Sequence, residues 1–282
     1  MKILVTGGAG FIGSHLCEKL VQEGHSIKVI DNFSIGRKSN LNKIKNRIKI
    51  YNKDIRNYDL IKKLFKNIDV VLHLAALADI VPSIENPDEY FSTNVTGTYN
   101  VLKLSSENKV KRFIYTASSS CYGIPNQYPT KETAKVDPQY PYALTKRLGE
   151  ELVLHFSKVY KLNASSLRFF NVYGPRARTT GTYGAVFGVF LAQKIAKKPF
   201  TIVGDGNQTR DFTFVSDIVD AILKVSKNKK LIGEIFNVGS GKTVSVNRIV
   251  YLLKGKKINI PKRPGEPDVT FACIKKIKSK TS

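Results

Sequence analysis

Tyr142 and Lys146 stand four positions apart in the run PYALTK (141–146). On a helix, residues at this spacing share a face. A phenol with a reference pKa near ~10 is a poor base at neutral pH. A neighbouring ammonium favours the phenolate and is expected to lower that pKa. The pair therefore suits proton transfer, with Tyr142 taking or returning a hydroxyl proton beside the Lys146 cation. The spacing alone is common on surface helices, so its meaning depends on the fold around it.

A second cluster opens the chain. Thr6-Gly7-Gly8-Ala9-Gly10-Phe11-Ile12-Gly13 sets glycines at 7, 10 and 13 between an apolar run and a helical stretch. Gly7 permits a tight turn, Gly10 lets backbone approach a pyrophosphate, and Gly13 lets the helix pack closely on the strand. The helix N-terminus at Phe11 and Ile12 offers N–H donors and positive dipole to phosphates. The pattern gains weight from Asp31, an acid closing the next strand. Its carboxylate can accept from a ribose 2′-OH and would repel a 2′-phosphate, so the expected cofactor is NAD. Asp54, after the third strand, is expected to reach the adenine amino group. A positively charged nicotinamide would add to the pull of Lys146 on Tyr142.

These residues need a scaffold, and short β-branched runs alternate with helical stretches to supply one. Strands are expected at Lys2–Thr6, Ile27–Asp31, Ile48–Tyr51, Asp69–Leu74, Arg112–Ala117 and Ala164–Phe169. Helices are expected at Ser14–Glu23, Tyr58–Phe65, Glu89–Asn108 and Pro141–Lys161. The alternation predicts an α/β fold, a Rossmann-type doubly wound parallel sheet. After Gly174-Pro175, loops and glycine turns take over, as in Gly204-Asp205-Gly206. Residues 1–175 are read as the dinucleotide-binding domain, with 204–241 partly returning to it through FNVGSG (236–241). Residues 176–282 are read as a smaller, interleaved C-terminal substrate lobe. The basic tail Lys275–Ser282 is expected to fray.

Composition bounds the function classes. The 282 residues suffice for one large domain with a smaller lobe. No run of eighteen apolar residues occurs, so no membrane span is expected. Glycines interrupt the apolar start at once, so no cleaved leader is expected either. Cys17, Cys121 and Cys273 are scattered and odd in number; they fit free thiols in a reducing cytoplasm, with no metal site. The net charge of +24 is spread along the chain and carried mainly by Lys. Nucleic acid is not expected as a partner, because base readout and phosphate forks favour Arg. A positive field would draw an anionic small molecule.

Further segments run in order along nearly the whole chain: DNFS (31–34), HLAA (73–76), STNVTGTYNVL (92–102), TASSSCYG (116–123), LRFFNVYGP (167–175) and GDGNQTRDFTFVSDIVDA (204–221). With TGGAGFIG, PYALTK and FNVGSG, they make the sequence resemble the extended short-chain dehydrogenase/reductase family. The likeness is to its nucleotide-sugar epimerase and dehydratase branch. The resemblance implies an NAD-binding set of Gly7, Gly10, Phe11, Ile12, Asp31, Asn32, Ser34, Gly36, Asp54, Ile55, Leu74, Ala75, Ala76, Asn94, Tyr142 and Lys146. It implies catalysis by Ser118, Tyr142 and Lys146, with Ser118 meeting the sugar O4. It also implies a homodimer built through the helices around 89–108 and 142–160.

The turn after the fifth strand separates reactions within that family. The 4,6-dehydratases carry Asp and Glu at the two positions following Ser118, and glucuronate decarboxylases keep the Glu. Here Ser119 and Ser120 stand there. A serine cannot protonate a departing hydroxyl or remove a carbon-bound proton near neutral pH. C4 epimerisation needs only hydride and hydroxyl-proton transfer, so the expected activity is NAD-dependent C4 epimerisation of a UDP-hexose or UDP-N-acetylhexosamine. Dehydration or decarboxylation on the same fold is the alternative. A non-catalytic nucleotide-sensing or nucleic-acid-binding role is opposed by the intact Ser118, Asp31, Tyr142 and Lys146. The resemblance further implies Asn171, Arg210 and Arg263 as diphosphate contacts, and Glu266 near the substrate ribose. Thr270 replaces a bulky aromatic of some epimerases, which would admit an N-acetyl group. Past RPGEPD the chain is shorter than is usual for the family, and Cys273 replaces an Asp.

Overall fold

The computed structural model describes residues 1–179, 186–261 and 267–281. The chain begins β1 (Lys2–Thr6), α1 (Phe11–Gln22), β2 (Ser26–Asp31) and β3 (Ile48–Asn52). β1 is buried from Ile3 onward, as a central strand covered on both faces must be. α1 buries Leu16, Cys17, Leu20 and Val21, a single helical stripe. α2 covers only Tyr58–Ile61 and tightens into a 3₁₀ turn over Lys62–Phe65, instead of running as one helix to Phe65. Such tightening is common at helix ends, and it still buries Ile61 and Phe65.

After β4 (Val70–His73) come α3 (Ile80–Glu85), α4 (Pro87–Phe91) and α5 (Gly97–Glu107). The expected continuous helix over 89–108 is broken by a wide π turn at Ser92–Thr96. The break has a local cause. Asn94 turns inward to bond the backbone of Leu77, and Thr98 Oγ donates to the Asn94 carbonyl at 2.6 Å. β5 (Arg112–Ser118) and α6 (Pro141–Val159) follow, with Pro141 in the first turn where a missing N–H costs nothing. β6 (Ala164–Phe169) and β7 (Val172–Tyr173) come next.

The remaining elements are α7 (Val186–Ile195), β8 (Phe200–Val203), β9 (Thr209–Arg210), β10 (Thr213–Phe214), α8 (Val215–Lys227) and β11 (Ile235–Val238). β12 (Val244–Ser245), α9 (Val246–Leu253), β13 (Lys257–Ile260), β14 (Val269–Thr270) and α10 (Lys275–Thr281) complete the chain.

Seven strands form one parallel sheet in the order β3-β2-β1-β4-β5-β6-β11. Apolar cores lie on both faces, one under α1 and α8, the other under α5 and α6. The strand order reverses between β1 and β4, and a crevice at the carboxyl ends of strands forms at such a switch point. A smaller core joins α7, α9, β8 and β12 around Phe190, Phe200 and Ile249.

The tail is not frayed over Lys275–Thr281. α10 buries Ile277, and Lys276 Nζ reaches both Glu234 and the Ile235 carbonyl. Just before it, Cys273 N donates to Thr130 O and Ala272 N donates to the buried Asp211 carboxylate. These bonds carry the end of the chain back onto the main sheet.

Candidate active site

The turn between β1 and α1 is shaped by backbone contacts that only glycine allows. Gly7 has φ +70°, and a Cβ there would lie 2.7 Å from Ala75 N. A Cβ on Gly13 would lie 2.2 Å from Gly7 O. Gly10, the N-cap of α1, makes no side-chain cap, and a Cβ there would meet nothing but Gly7 O at 3.2 Å. The first N–H groups of α1 therefore face an open surface, a ready anion site. This geometry fits a dinucleotide pyrophosphate.

Asp31 is buried at the end of β2. It accepts from Ala9 N and Phe33 N, both at 2.8 Å. Burial raises its carboxyl pKa, and these two N–H bonds oppose the rise. The residue thus fixes the glycine turn as well as presenting a carboxylate. Gly36 packs against it, where a Cβ would fall 2.8 Å from Oδ1. Asn32 accepts from Ser34 and donates to Asp54 at 2.9 Å. Arg56 forks onto Asp54, so this carboxylate, held below its usual range despite partial burial, is already engaged. Ile55 is buried, its carbonyl held by Asn100. Asn94 spends its amide on Leu77 and on Thr145 Oγ at 3.0 Å. These bonds fix Leu77, just after Leu74, Ala75 and Ala76, against α6.

A cleft of about 530 Å³ opens at the strand ends. Phe11, Ile12, Leu74, Ala76, Ser118, Ser119, Ser120, Tyr142, Lys146, Asn171, Arg210 and Thr270 all line it. Ser118 Oγ accepts from Ser120 Oγ at 2.8 Å and from Ser120 N at 3.2 Å. With its acceptor sites so used, its own proton is left for Tyr142, to which it is hydrogen-bonded. Burial pushes the Tyr142 phenol above its ordinary value, and the Ser118 bond works against that rise. The lowering expected from Lys146 and a positive nicotinamide together belongs to the NAD-bound state; in the cofactor-free protein burial sets the direction. Lys146 is itself buried, and loss of hydration pulls its ammonium down to about 7. Its Nζ lies over the Tyr115 ring, 4.3 Å from the centroid.

On the opposite wall, Arg210 in β9 donates to the Thr209 and Asp268 carbonyls. Thr270 Oγ donates to Asn171 Oδ1 at 2.7 Å. Tyr173, Phe187 and Phe212 pack as an aromatic cluster beside them. Arg263 and Glu266 lie outside the described residues. Ser119 and Ser120 follow Ser118 in the lining, and the carboxylate whose charge acts on the Tyr142 phenol is Asp79, itself paired with Arg178.

Sequence reasoning missed the support behind this surface. Glu150, eight residues after Tyr142 on the same face of α6, forms a buried pair with Arg168 at 2.6 Å. Arg168 stacks over Tyr122, whose hydroxyl donates to Asn237. The signal in the sequence was the continued spacing 142, 146, 150. Nothing local named Arg168 as the partner.

The chain matches the NAD dependent epimerase/dehydratase family over residues 3–239. It belongs to that family. The cofactor is NAD. A putative UDP-glucose 4-epimerase of Methanocaldococcus jannaschii is 37% identical, over 98% of this chain and 91% of that protein. A UDP-N-acetyl-alpha-D-glucosaminuronate decarboxylase of Bacillus cytotoxicus is 36% identical, over 88% of this chain and 78% of that protein. The solved UDP-N-acetylglucosamine 4-epimerase of Methanobrevibacter ruminantium M1, in complex with UDP-N-acetylmuramic acid, superposes with a TM-score of 0.94 at 32% identity. That match covers 100% of this chain and 91% of that one. The epimerase/dehydratase fold thus accounts for the glycine turn and for the Tyr142–Lys146 helix together.

Proposed function

We propose that this chain is a C4 epimerase of a UDP-hexose or UDP-N-acetylhexosamine, working through a 4-keto sugar. The observation that carries the reading is that Ser119 and Ser120, rather than two acids, line the cleft directly after Ser118. Dehydration requires an acid for the departing hydroxyl and a base for a carbon-bound proton. Ser119 and Ser120 cannot serve as either near neutral pH.

Bound NAD supplies the reversible removal of hydride from the sugar. The residues of the chain do the rest. Tyr142 accepts the O4 proton and returns it. Ser118, held by Ser120, orients that exchange and meets O4. Lys146 supplies positive charge beside the phenol. Arg210 and Asn171, with Arg263 and Glu266 from outside the described residues, anchor the nucleotide diphosphate and ribose while the sugar turns over. Thr270 leaves room for an N-acetyl group.

A homodimer belongs to the same proposal. Phe91, Tyr99 and Leu144 are exposed apolar residues on α4, α5 and α6. Tyr99 of α5 packs edge-on against Phe156 of α6, joining the two helices into one face. No described helix is long and apolar enough to cross a membrane. The three buried free thiols fit the cytoplasm, where precursors for polysaccharides are made.

Product analysis by NMR tests the reading. The purified protein is incubated with UDP-glucose, UDP-N-acetylglucosamine, UDP-glucuronate and dTDP-glucose, with and without added NAD⁺. A C4-inverted product from a neutral UDP-sugar is expected. A 4-keto-6-deoxy or a pentose product would overturn it.

A further inference from the structure

Lys146 is surrounded in a way its role alone does not require. Among the described residues its ammonium forms no ion pair, and Glu150 acts on it only at longer range. What it does have is the face of Tyr115, with the ring centroid 4.3 Å from Nζ. A cation over an aromatic face is attracted by the ring quadrupole, most strongly where water is excluded. Tyr115 lies in the middle of β5 and is fully buried. Its hydroxyl donates to the Lys146 carbonyl at 3.3 Å, so one side chain grips both ends of the residue.

Space for that ring is provided by a glycine. A Cβ on Gly149 would lie 2.3 Å from Tyr115 Oη and 2.9 Å from Cζ. Any other residue at 149 would push the ring away from α6. His73, its register partner on β4, stands beside the ring, 5.7 Å between centroids. It is locked between Thr6 and Thr98 and, by burial, kept neutral at ordinary pH. No second cation therefore competes for Tyr115.

We propose that Tyr115 is the positioning residue for Lys146: its ring fixes where the ammonium sits and keeps it charged, and Gly149 is the notch that admits the ring. The proposal rests on the reading of Lys146 as the cation beside Tyr142 and NAD.

The test uses Tyr115→Leu, Tyr115→Phe, Gly149→Ala and the double variant Gly149→Ala/Tyr115→Phe. Lys146 is titrated in the cofactor-free protein by competitive acetylation with acetic anhydride, read by mass spectrometry. NAD affinity is read by calorimetry. Tyr115→Phe keeps the ring and is expected to leave the Lys146 titration and the NAD affinity within about twofold of wild type. Tyr115→Leu loses the ring, and the apparent pKa of Lys146 is expected to fall by about one unit, with weaker NAD binding. Gly149→Ala should behave like Tyr115→Leu. Removing the clashing hydroxyl in the double variant should move the titration back toward wild type.

A folded Tyr115→Leu protein whose Lys146 titrates as in wild type overturns the proposal. Should Tyr115→Leu fail to fold, Gly149→Ala decides, since an unmoved titration there overturns it equally. Lys146→Met keeps the two failures apart. If it leaves NAD affinity and turnover unchanged, the reading of Lys146 fails, whatever the Tyr115 variants show.

Discussion

The side of the cleft proposed to take the cofactor and the side proposed to take the sugar are held in different ways. On the cofactor side, one unbroken turn from Thr6 to Gly13 meets backbone at contact distance, and Asp31 fastens it with two N–H bonds. On the sugar side, Asn171, Arg210 and Thr270 sit on or beside two-residue strands. The Asn171–Thr270 bond spans 99 positions of sequence. The first arrangement is fixed by backbone geometry and has no slack. The second is assembled from distant side chains and can be retuned one residue at a time. The proposed chemistry, between the two, draws on one face of α6 and on Ser118 at the end of β5.

That contrast orders the expected effects. The largest falls on the chemistry. Tyr142→Phe should lower kcat by about 10²–10⁴-fold while calorimetry still finds NAD bound; loss of NAD binding instead would assign the phenol to the cofactor side. On the sugar side, Arg210→Ala should raise KM for the UDP-sugar by about 10–100-fold, the scale of a charge-assisted hydrogen bond. NAD affinity should not move. An equal loss on both sides would erase the distinction.

Gly13→Ala tests the cofactor side from within. The added Cβ meets Gly7 O at 2.2 Å, and neither backbone can give. Destabilisation of about 1–3 kcal/mol is expected, read as a lower Tm together with weakened NAD binding. A variant with wild-type Tm and affinity would show that the turn has slack after all.

Lys146 gives a smaller, pH-dependent effect. Its proton is held to about 7 in the folded protein, against 10.5 for the free side chain. Between those values the unfolded chain binds more protons, so this residue's contribution to stability grows as pH rises from about 7 toward 10.5. The cofactor-free Lys146→Met protein should therefore gain less denaturant resistance than wild type over that window. Parallel curves would contradict the burial of a charged Lys146. Smallest is Thr270→Tyr, which should shift kcat/KM away from UDP-N-acetylglucosamine relative to UDP-glucose by roughly tenfold. An unchanged preference would show that Thr270 does not set the room at C2.

The same contrast decided what was legible in the sequence. The glycine turn, Asp31 and the Tyr142–Lys146 pair lie within contiguous runs whose spacing carries their geometry, so they could be named from residues alone. The strand alternation followed from local periodicity. The π turn could not be read, because Asn94 is drawn out of register by Leu77 and Thr145, 17 and 51 positions away. α10 looked like a polar tail because the groups that hold it, Glu234 and the Ile235 carbonyl, are brought to it only by the edge strand β11. The direction of the Tyr142 shift in the cofactor-free protein was not legible for a related reason. Counting charges found Lys146, but burial, which outweighs the Ser118 bond at the phenol, is a property of the assembled core.

The central claim is that hydride and hydroxyl protons move at the sugar while no carbon-bound proton exchanges with water. Turnover of UDP-glucose and UDP-N-acetylglucosamine in heavy water, followed by NMR and mass spectrometry, tests it directly. The account predicts a C4-inverted product in which every carbon-bound hydrogen is retained, since Ser118, Ser119, Ser120 and Tyr142 serve only oxygen-bound protons. Deuterium on a sugar carbon, or a deoxygenated or shortened sugar carrying it, would contradict that claim.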